Sequence, residues 1–294
     1  MWPEPPWGLM GWRACPRGWP PVPANGEGGR TAFGRPMVEE IFETLTQGTG
    51  LTGWWFLGLC AISFVGSLIA AALGLGGGIL VLAVMALVLP PTVLIPVHGV
   101  VQLGSNLGRA LFMARRVLYL VVPAFIAGAG IGAAAGAYVV VALPLWLLLA
   151  LLAVFVLYGT WSPGFRSARP GRAVFFAVGA GSSLVTMLVG ATGPLIAPFV
   201  SAACGERRQV VATHALLMSV QHGIKVLAFG LLGFAFGPYL PLLAGLLAFG
   251  LLGTWVGGRL LARLPEDVFR RGLRMILTVL AARLFYDSVM AYPG

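Results

Sequence analysis

All three histidines of this 294-residue chain and its one lysine fall in two short segments. "VHGVVQLGSNLGR" (97–109) carries His98, Gln102, Ser105, Asn106 and Arg109, and "THALLMSVQHGIK" (213–225) carries His214, Gln221, His222 and Lys225. At about 100° per residue, His98, Gln102, Ser105 and Arg109 share one stripe of a helix. His214, Gln221 and Lys225 make the equivalent stripe, with Asn106 and His222 flanking. Cations and hydrogen-bond donors grouped in this way can hold an anion, and the imidazoles can carry a proton. The plainer alternatives are specific. A lone histidine on an apolar helix is commonly a structural hydrogen-bonder, and Arg109 lies near enough to a helix end to snorkel to the interface. Lys225 also lies near an end, but on a charge-poor side, where that explanation fails.

A second feature lies just ahead of each polar segment. "LGLGGGILVL" (73–82) contains Gly74, Gly76, Gly77 and Gly78, and "GATGP" (190–194) contains Gly190 and Gly193. Each interrupts an apolar run and precedes a segment of about a dozen residues, too short to cross a bilayer alone. A helix broken inside a membrane leaves backbone groups that only protein or a polar cavity can satisfy. The half-helix that follows presents free N–H groups and a partial positive charge, and Pro194 suits its first turn. The outline is that of an anion site. Close helix packing through small residues is the competing explanation. A dinucleotide-binding loop is excluded, because the third glycine of that fingerprint falls on Ile79 and no strand precedes it.

The elements that must position these residues follow from composition. The chain is 59% hydrophobic and 10% charged, against about 25% charged for a soluble domain, so an all-α integral membrane protein is expected. No Asp or Glu occurs between Glu43 and Glu206, and Asp287 is the one carboxylate well inside an expected span. A metal or nucleophile constellation for a membrane enzyme therefore has little to draw on. The net charge of +10 comes from arginines clustered between apolar runs, a membrane bias rather than a nucleic-acid footprint. Cys15, Cys60 and Cys204 have neither metal nor CxxC spacing, no ATPase motif is present, and no cofactor is expected. Helical segments are predicted at about 54–73, 79–89, 92–113, 117–142, 145–161, 173–189, 194–205, 210–229, 239–263 and 272–290. Residues 1–53 read as a Pro-, Gly- and Trp-rich tail, with little regular structure over 1–36, and a short amphipathic lead-in to the first span, and Met37 is an alternative start.

Laying the first break on the second shifts the sequence by 116 residues, from Gly74 to Gly190. His98 then falls on His214, Asn106 on His222 and Arg109 on Lys225. Further on, "GAAAGAYVVVALP" (132–144) matches "GTWVGGRLLARLP" (253–265) after an insertion. The expected organisation is a first repeat at 54–163, a basic linker at 164–172 and a second repeat at 173–294. Each has about five helical segments, with a short half-helix after its Gly-rich break. An odd number of segments per copy implies inverted topology. The loops agree. Arg115 and Arg116 match the uncharged "FGPYLP" (236–241), "RLPEDVFRRGLR" (263–274) matches the bare "ALPLW" (142–146), and "GERRQ" (205–209) matches the bare "LPPT" (89–92). Inversion puts every basic loop on one side. It also leans Arg109 and Lys225 toward opposite faces, as inner and outer half-sites.

The duplicated breaks, the short segments after them and the polar helices resemble the TauE/SafE family of sulfite and organosulfonate exporters. "GSLIAAALGLGGG" (66–78), "GSNLGRA" (104–110) and "VQHGIKVLAFGLLGFAF" (220–236) carry the resemblance, which extends over about 54–290. Two departures stand out: His98 and His214 occupy positions where the family commonly has small hydroxyl residues, and the second break has fewer glycines. The resemblance implies a multi-pass transporter of a small sulfur-containing anion in the cytoplasmic membrane, with the lipid bilayer as its other partner. Its expected substrate-binding set is Gly76, Gly77, Gly78, Gly190, Gly193, His98, Gln102, Ser105, Asn106, Arg109, His214, Gln221, His222 and Lys225. Coupling through the histidines and passive flow both fit. A scaffold subunit is the rival from another class, and it would tolerate loss of the polar stripes.

Overall fold

The computed structural model describes residues 43–46, 49–73, 76–161, 170–260 and 266–292. The expected tail at 1–36, Gly74, and the linker arginines Arg166 and Arg169 lie outside these. Among the described residues no strand occurs. The helices, numbered here from the first long one, are α1 (Gly53–Leu73), α2 (Gly77–Met85), α3 (Pro91–Phe112), α4 (Val122–Ala142) and α5 (Leu145–Trp161). They continue as α6 (Arg172–Val189), α7 (Gly193–Ala203), α8 (Arg207–Leu231), α9 (Leu240–Leu260) and α10 (Glu266–Met290). Among the described residues five stretches are long and apolar enough to cross a membrane: they cover α1, α6 and α8, and α4 and α9 each with the turn before it. Helix α3 has the length, at 22 residues, but its polar stripe lowers its hydropathy.

Both breaks form where glycine allows a conformation closed to other residues. Gly76 caps α2 with φ +93°, and Gly190 ends α6 in the left-handed region at φ +83°; both lie where an L side chain is strained. Pro194 occupies the first turn of α7, where its missing N–H costs no intrahelical bond. Helices α2 and α7 are 9 and 11 residues long, or about 14 and 17 Å, roughly half a bilayer. Helix α2 folds back on α1 so closely that a Cβ on Gly77 would collide with the Gly66 carbonyl oxygen.

Glycine contacts give the helix directions. On α4, Cβ atoms added at Gly128, Gly132 and Gly136 would meet Phe176, Ala180 and then Leu184 and Met187 of α6. The numbers rise together, so α4 and α6 are parallel. Helices α1 and α9 are parallel by the same test: Gly245 faces Phe56 and Cys60, Gly250 faces Ser63 and Ser67, and Gly257 faces Leu68. Helices α3 and α8 run antiparallel, with Gly99 beside Lys225 and Leu103 beside Gly223. So do α5 and α10, where the Trp161 indole donates to Thr278 Oγ1 at 2.9 Å and the Ser288 hydroxyl donates to the Trp146 carbonyl at 2.7 Å.

Around the central pair α3 and α8, an apolar core led by Leu59, Leu82, Met85, Leu94, Leu152 and Leu246 excludes solvent from α2 and from the start of α3. Helix ends depart from the sequence expectation where charge is involved. Helix α8 begins at Arg207 rather than 210, and α10 at Glu266 rather than 272. Hydropathy marks where a helix is apolar, whereas these charged first turns are helical outside that zone. Helix α4 starts at Val122 because a 3-10 turn (Tyr119–Val121) precedes it.

Candidate anion site

Helices α3 and α8 place both polar stripes in the centre of the bundle, and the N-terminal ends of α2 and α7 approach them. A cavity of about 40 Å³ lies at that meeting point. Its lining includes Gly76, Gly78, Gly193, His98, Gln102, Asn106, Arg109, His214 and His222 of the expected set. It also includes Ala70, Ile79, Ala191, Pro194 and Met218; Ala191 and Pro194 belong to the second break, whereas Ala70 and Met218 are apolar residues in helical runs that no sequence signal marks out. A water needs roughly 10–15 Å³ by this kind of measure, so the space suits a few waters or one small oxyanion.

Each histidine at the head of a stripe reaches the short helix that precedes it in the chain. His98 Nε2 lies 3.0 Å from the Gly78 carbonyl, and His214 Nε2 lies 3.2 Å from the Gly193 carbonyl. The other ring nitrogens differ. His98 Nδ1 lies 3.2 Å from the Gly190 carbonyl, while His214 Nδ1 is buried without a hydrogen-bond partner. The rings of His98 and His222 meet edge-on at 6.0 Å. Asn106 donates to the Gln102 carbonyl at 2.8 Å and to its side-chain oxygen at 3.3 Å, fixing both amides at the cavity wall.

The two cations occupy different shells. Arg109 lines the cavity and is buried, and its Nε has no hydrogen-bond partner. Lys225 is fully buried behind the wall, and its ammonium donates to the Gly190 carbonyl at 2.7 Å. Antiparallel packing of α3 on α8 brings the charge of Arg109 to His214 and that of Lys225 to His98, while Lys225 also acts on His222 of its own helix. The cations thus sit toward opposite ends of the α3–α8 pair, as expected, but the three histidines and Arg109 share one cavity.

Four expected residues other than Lys225 stand off the cavity, and each has a definite task. Gly77 packs on Gly66. Gly190 supplies the carbonyl shared by Lys225 and His98. Ser105 donates to Ser67 Oγ at 3.1 Å and lies 3.3 Å from Thr254 Oγ1, joining α3 to α1 and α9. Gln221 donates to Ser182 and Ser183 at 3.0 and 3.2 Å and accepts from Thr192 at 2.9 Å, tying α8 to α6 and to the second break. Under the 116-residue shift Ser105 becomes Gln221 and Ser67 becomes Ser183, and the two matched pairs join α3 to α1 and α8 to α6.

This arrangement is chemically able to hold an anion. One cation, Arg109, three imidazoles and the first turns of two half-helices converge on the cavity, Lys225 stands behind its wall, and no Asp or Glu lines it. Among the described residues no group of three or more His, Cys, Asp or Glu could hold a metal ion. A family model described as sulfite exporter TauE/SafE matches residues 59–284. Comparisons with curated proteins and with solved structures give no match.

Proposed function

The chain belongs to the sulfite exporter TauE/SafE family, and on that basis we propose that it carries a small sulfur oxyanion, sulfite or an organosulfonate, across the cytoplasmic membrane. The observation that carries this reading is the cavity where α2 and α7 begin, lined by Arg109, His98, His214 and His222 with no carboxylate opposite them. An oxyanion there takes N–H groups from the first turns of both half-helices and a charge-assisted bond from Arg109. Leaving a buried guanidinium uncompensated inside a membrane is costly, which favours an anionic occupant. The small volume favours sulfite, since an alkyl tail requires the walls to part.

The transport reading includes an inverted pair of repeats. Relating the copies exchanges the α1–α9 packing with the α6–α4 packing, and both pairs are parallel. It pairs α3 with α8, its own copy, and that pair is antiparallel. A two-fold axis lying in the membrane plane accounts for both relations, and the two half-sites then approach one cavity from opposite faces. Alternating access follows if one half-helix hairpin opens while the other stays packed.

Calorimetric titration of the purified protein with sulfite, organosulfonates, sulfate and carboxylates tests the reading. Saturable binding of sulfite or a sulfonate, weakened in Arg109→Ala, is the expected result. Carboxylates binding as tightly as sulfite would overturn the substrate class, and no binding at all would favour the scaffold role.

A further inference from the structure

His98 is the one histidine whose two ring nitrogens both face carbonyl oxygens, Gly78 on one side and Gly190 on the other. Carbonyls only accept, and a neutral imidazole has one N–H to give. No neutral tautomer of His98 makes both bonds; the imidazolium makes both. His214 provides the contrast, because it faces a single carbonyl and its neutral Nε2–H form satisfies that contact.

The two carbonyls belong to different breaks. Gly78 lies in the first turn of α2, and Gly190 ends α6 just before α7. A doubly protonated His98 therefore clasps the junctions of both copies at once. The Gly190 carbonyl keeps a donor either way, since Lys225 is bonded to it at 2.7 Å. Loss of the Nδ1 proton thus leaves the Gly190 carbonyl paired, while Nδ1 itself becomes an acceptor facing another acceptor, and the Nε2–H bond to Gly78 persists.

We propose that His98 is a proton-binding site linked to anion occupancy, so that an anion and a proton enter the central cavity together. The linkage comes from charge. On α8, Lys225, His222 and His214 face this region; on α3, Arg109 does; and among the described residues α1, α2, α6 and α7 bring no acidic side chain to the cavity. A further positive charge on His98 is opposed by Lys225, and an anion beside it offsets that opposition. By reciprocity, protonation of His98 strengthens anion binding by the same factor. The proton comes from the aqueous phase, adds to Nδ1, and returns to water when the anion leaves. Release of Gly190 by Nδ1 uncouples the two junctions, which is the step that lets one hairpin move against the other.

This inference rests on the anion-site reading, and the test separates the two. Titration calorimetry with sulfite and with methanesulfonate, which does not itself take up a proton near neutral pH, is run in buffers of different ionisation heat. The expected result is uptake of about one proton per anion, with anion affinity falling about tenfold per pH unit where His98 titrates. In His98→Gln the proton uptake per bound anion and the pH slope are lost, whatever affinity remains, whereas His214→Gln, even where it weakens binding, keeps the proton uptake per bound anion. In case His98→Gln folds poorly, side-chain ¹⁵N spectra of the wild-type protein read the same point directly from only three histidines. One of them should show two protonated nitrogens when methanesulfonate or sulfite is bound. Three neutral histidines in the anion-saturated protein, or unchanged proton uptake in His98→Gln, would overturn the inference alone. Failure of both anions to bind would overturn it together with the anion site.

Discussion

At the scale of single residues, the cavity assigns unequal tasks to two cations that sequence pairs as equivalents. Arg109 lines the cavity and its Nε has no hydrogen-bond partner, whereas Lys225 spends its ammonium on the Gly190 carbonyl. A charge-assisted hydrogen bond contributes about 1.5–3 kcal/mol. Arg109→Ala should therefore weaken sulfite binding roughly 10- to 100-fold at unchanged thermal stability, while Arg109→Lys retains part of the affinity. Lys225→Ala should lower the melting temperature as well as the affinity, because the buried Gly190 carbonyl then depends on His98 alone. Binding isotherms and thermal unfolding on the same preparations check both. Equal losses of affinity with no change in stability would return the two cations to equivalent roles. The polar residues themselves were legible in sequence, because His, Lys and Gln are conspicuous in an apolar run. Which of them reach the cavity was not. Helical phase fixes a face only broadly, and Ser105 and Gln221 turn toward serine and threonine partners on neighbouring helices that no single-helix pattern reveals.

At the scale of elements, the glycines divide into two kinds that look alike in the sequence. Gly76 and Gly190 have positive φ and make the breaks, while Gly77, Gly132 and Gly253 are sites of close backbone approach. Gly77→Ala should destabilise the protein by about 1–3 kcal/mol through overpacking, since its Cβ meets the backbone of Gly66 and Ala70 rather than a flexible side chain. Gly193→Ala should be near neutral in stability, within about 0.5 kcal/mol, because its Cβ would rest at ordinary contact, 3.5 Å from the His214 ring. Since Gly193 lines the cavity, the larger Gly193→Leu should still block sulfite binding. Thermal unfolding and titration of the three variants separate packing from ligand approach. A Gly77→Ala variant as stable as wild type would contradict the α1–α2 packing. The breaks could be placed from sequence because glycine clusters before short apolar runs have few other uses in a membrane. The packing partners could not, because close approach depends on which helix lies opposite.

At the scale of the whole molecule, loop charge and helix direction bear on the same question from separate sources. Arg116 pairs with Glu206 at 3.4 Å, and the Leu118 N–H donates to Thr213 Oγ1 at 2.9 Å, which joins the loop after α3 to the start of α8. An exposed pair of this kind adds little stability, but it places two basic loops at one end of the bundle. At the opposite end of the α5–α10 pair, Trp146 meets Tyr292 edge-on at 5.1 Å, beside the uncharged turn between α4 and α5. We propose that the basic end is cytoplasmic, so that Arg115, Arg116, Arg172 and residues 206–208 and 266–271 should face the cytoplasm. Residues 90–92, 143–144, Gly237–Tyr239 and Tyr292 then face outward. Single cysteines at these positions, in a chain whose three native cysteines have been replaced, can be probed with a membrane-impermeant maleimide on intact cells. Labelling at 91, 143, 238 and 292, and protection at 116, 207 and 271 until the membrane is opened, is the expected pattern. Labelling of both 91 and 207 from outside would exclude inversion, because the shift that lays one break on the other matches those two loops. Without inversion the two half-helices would enter the cavity from the same face, and no exchange of the copies could turn an inward-open cavity into an outward-open one.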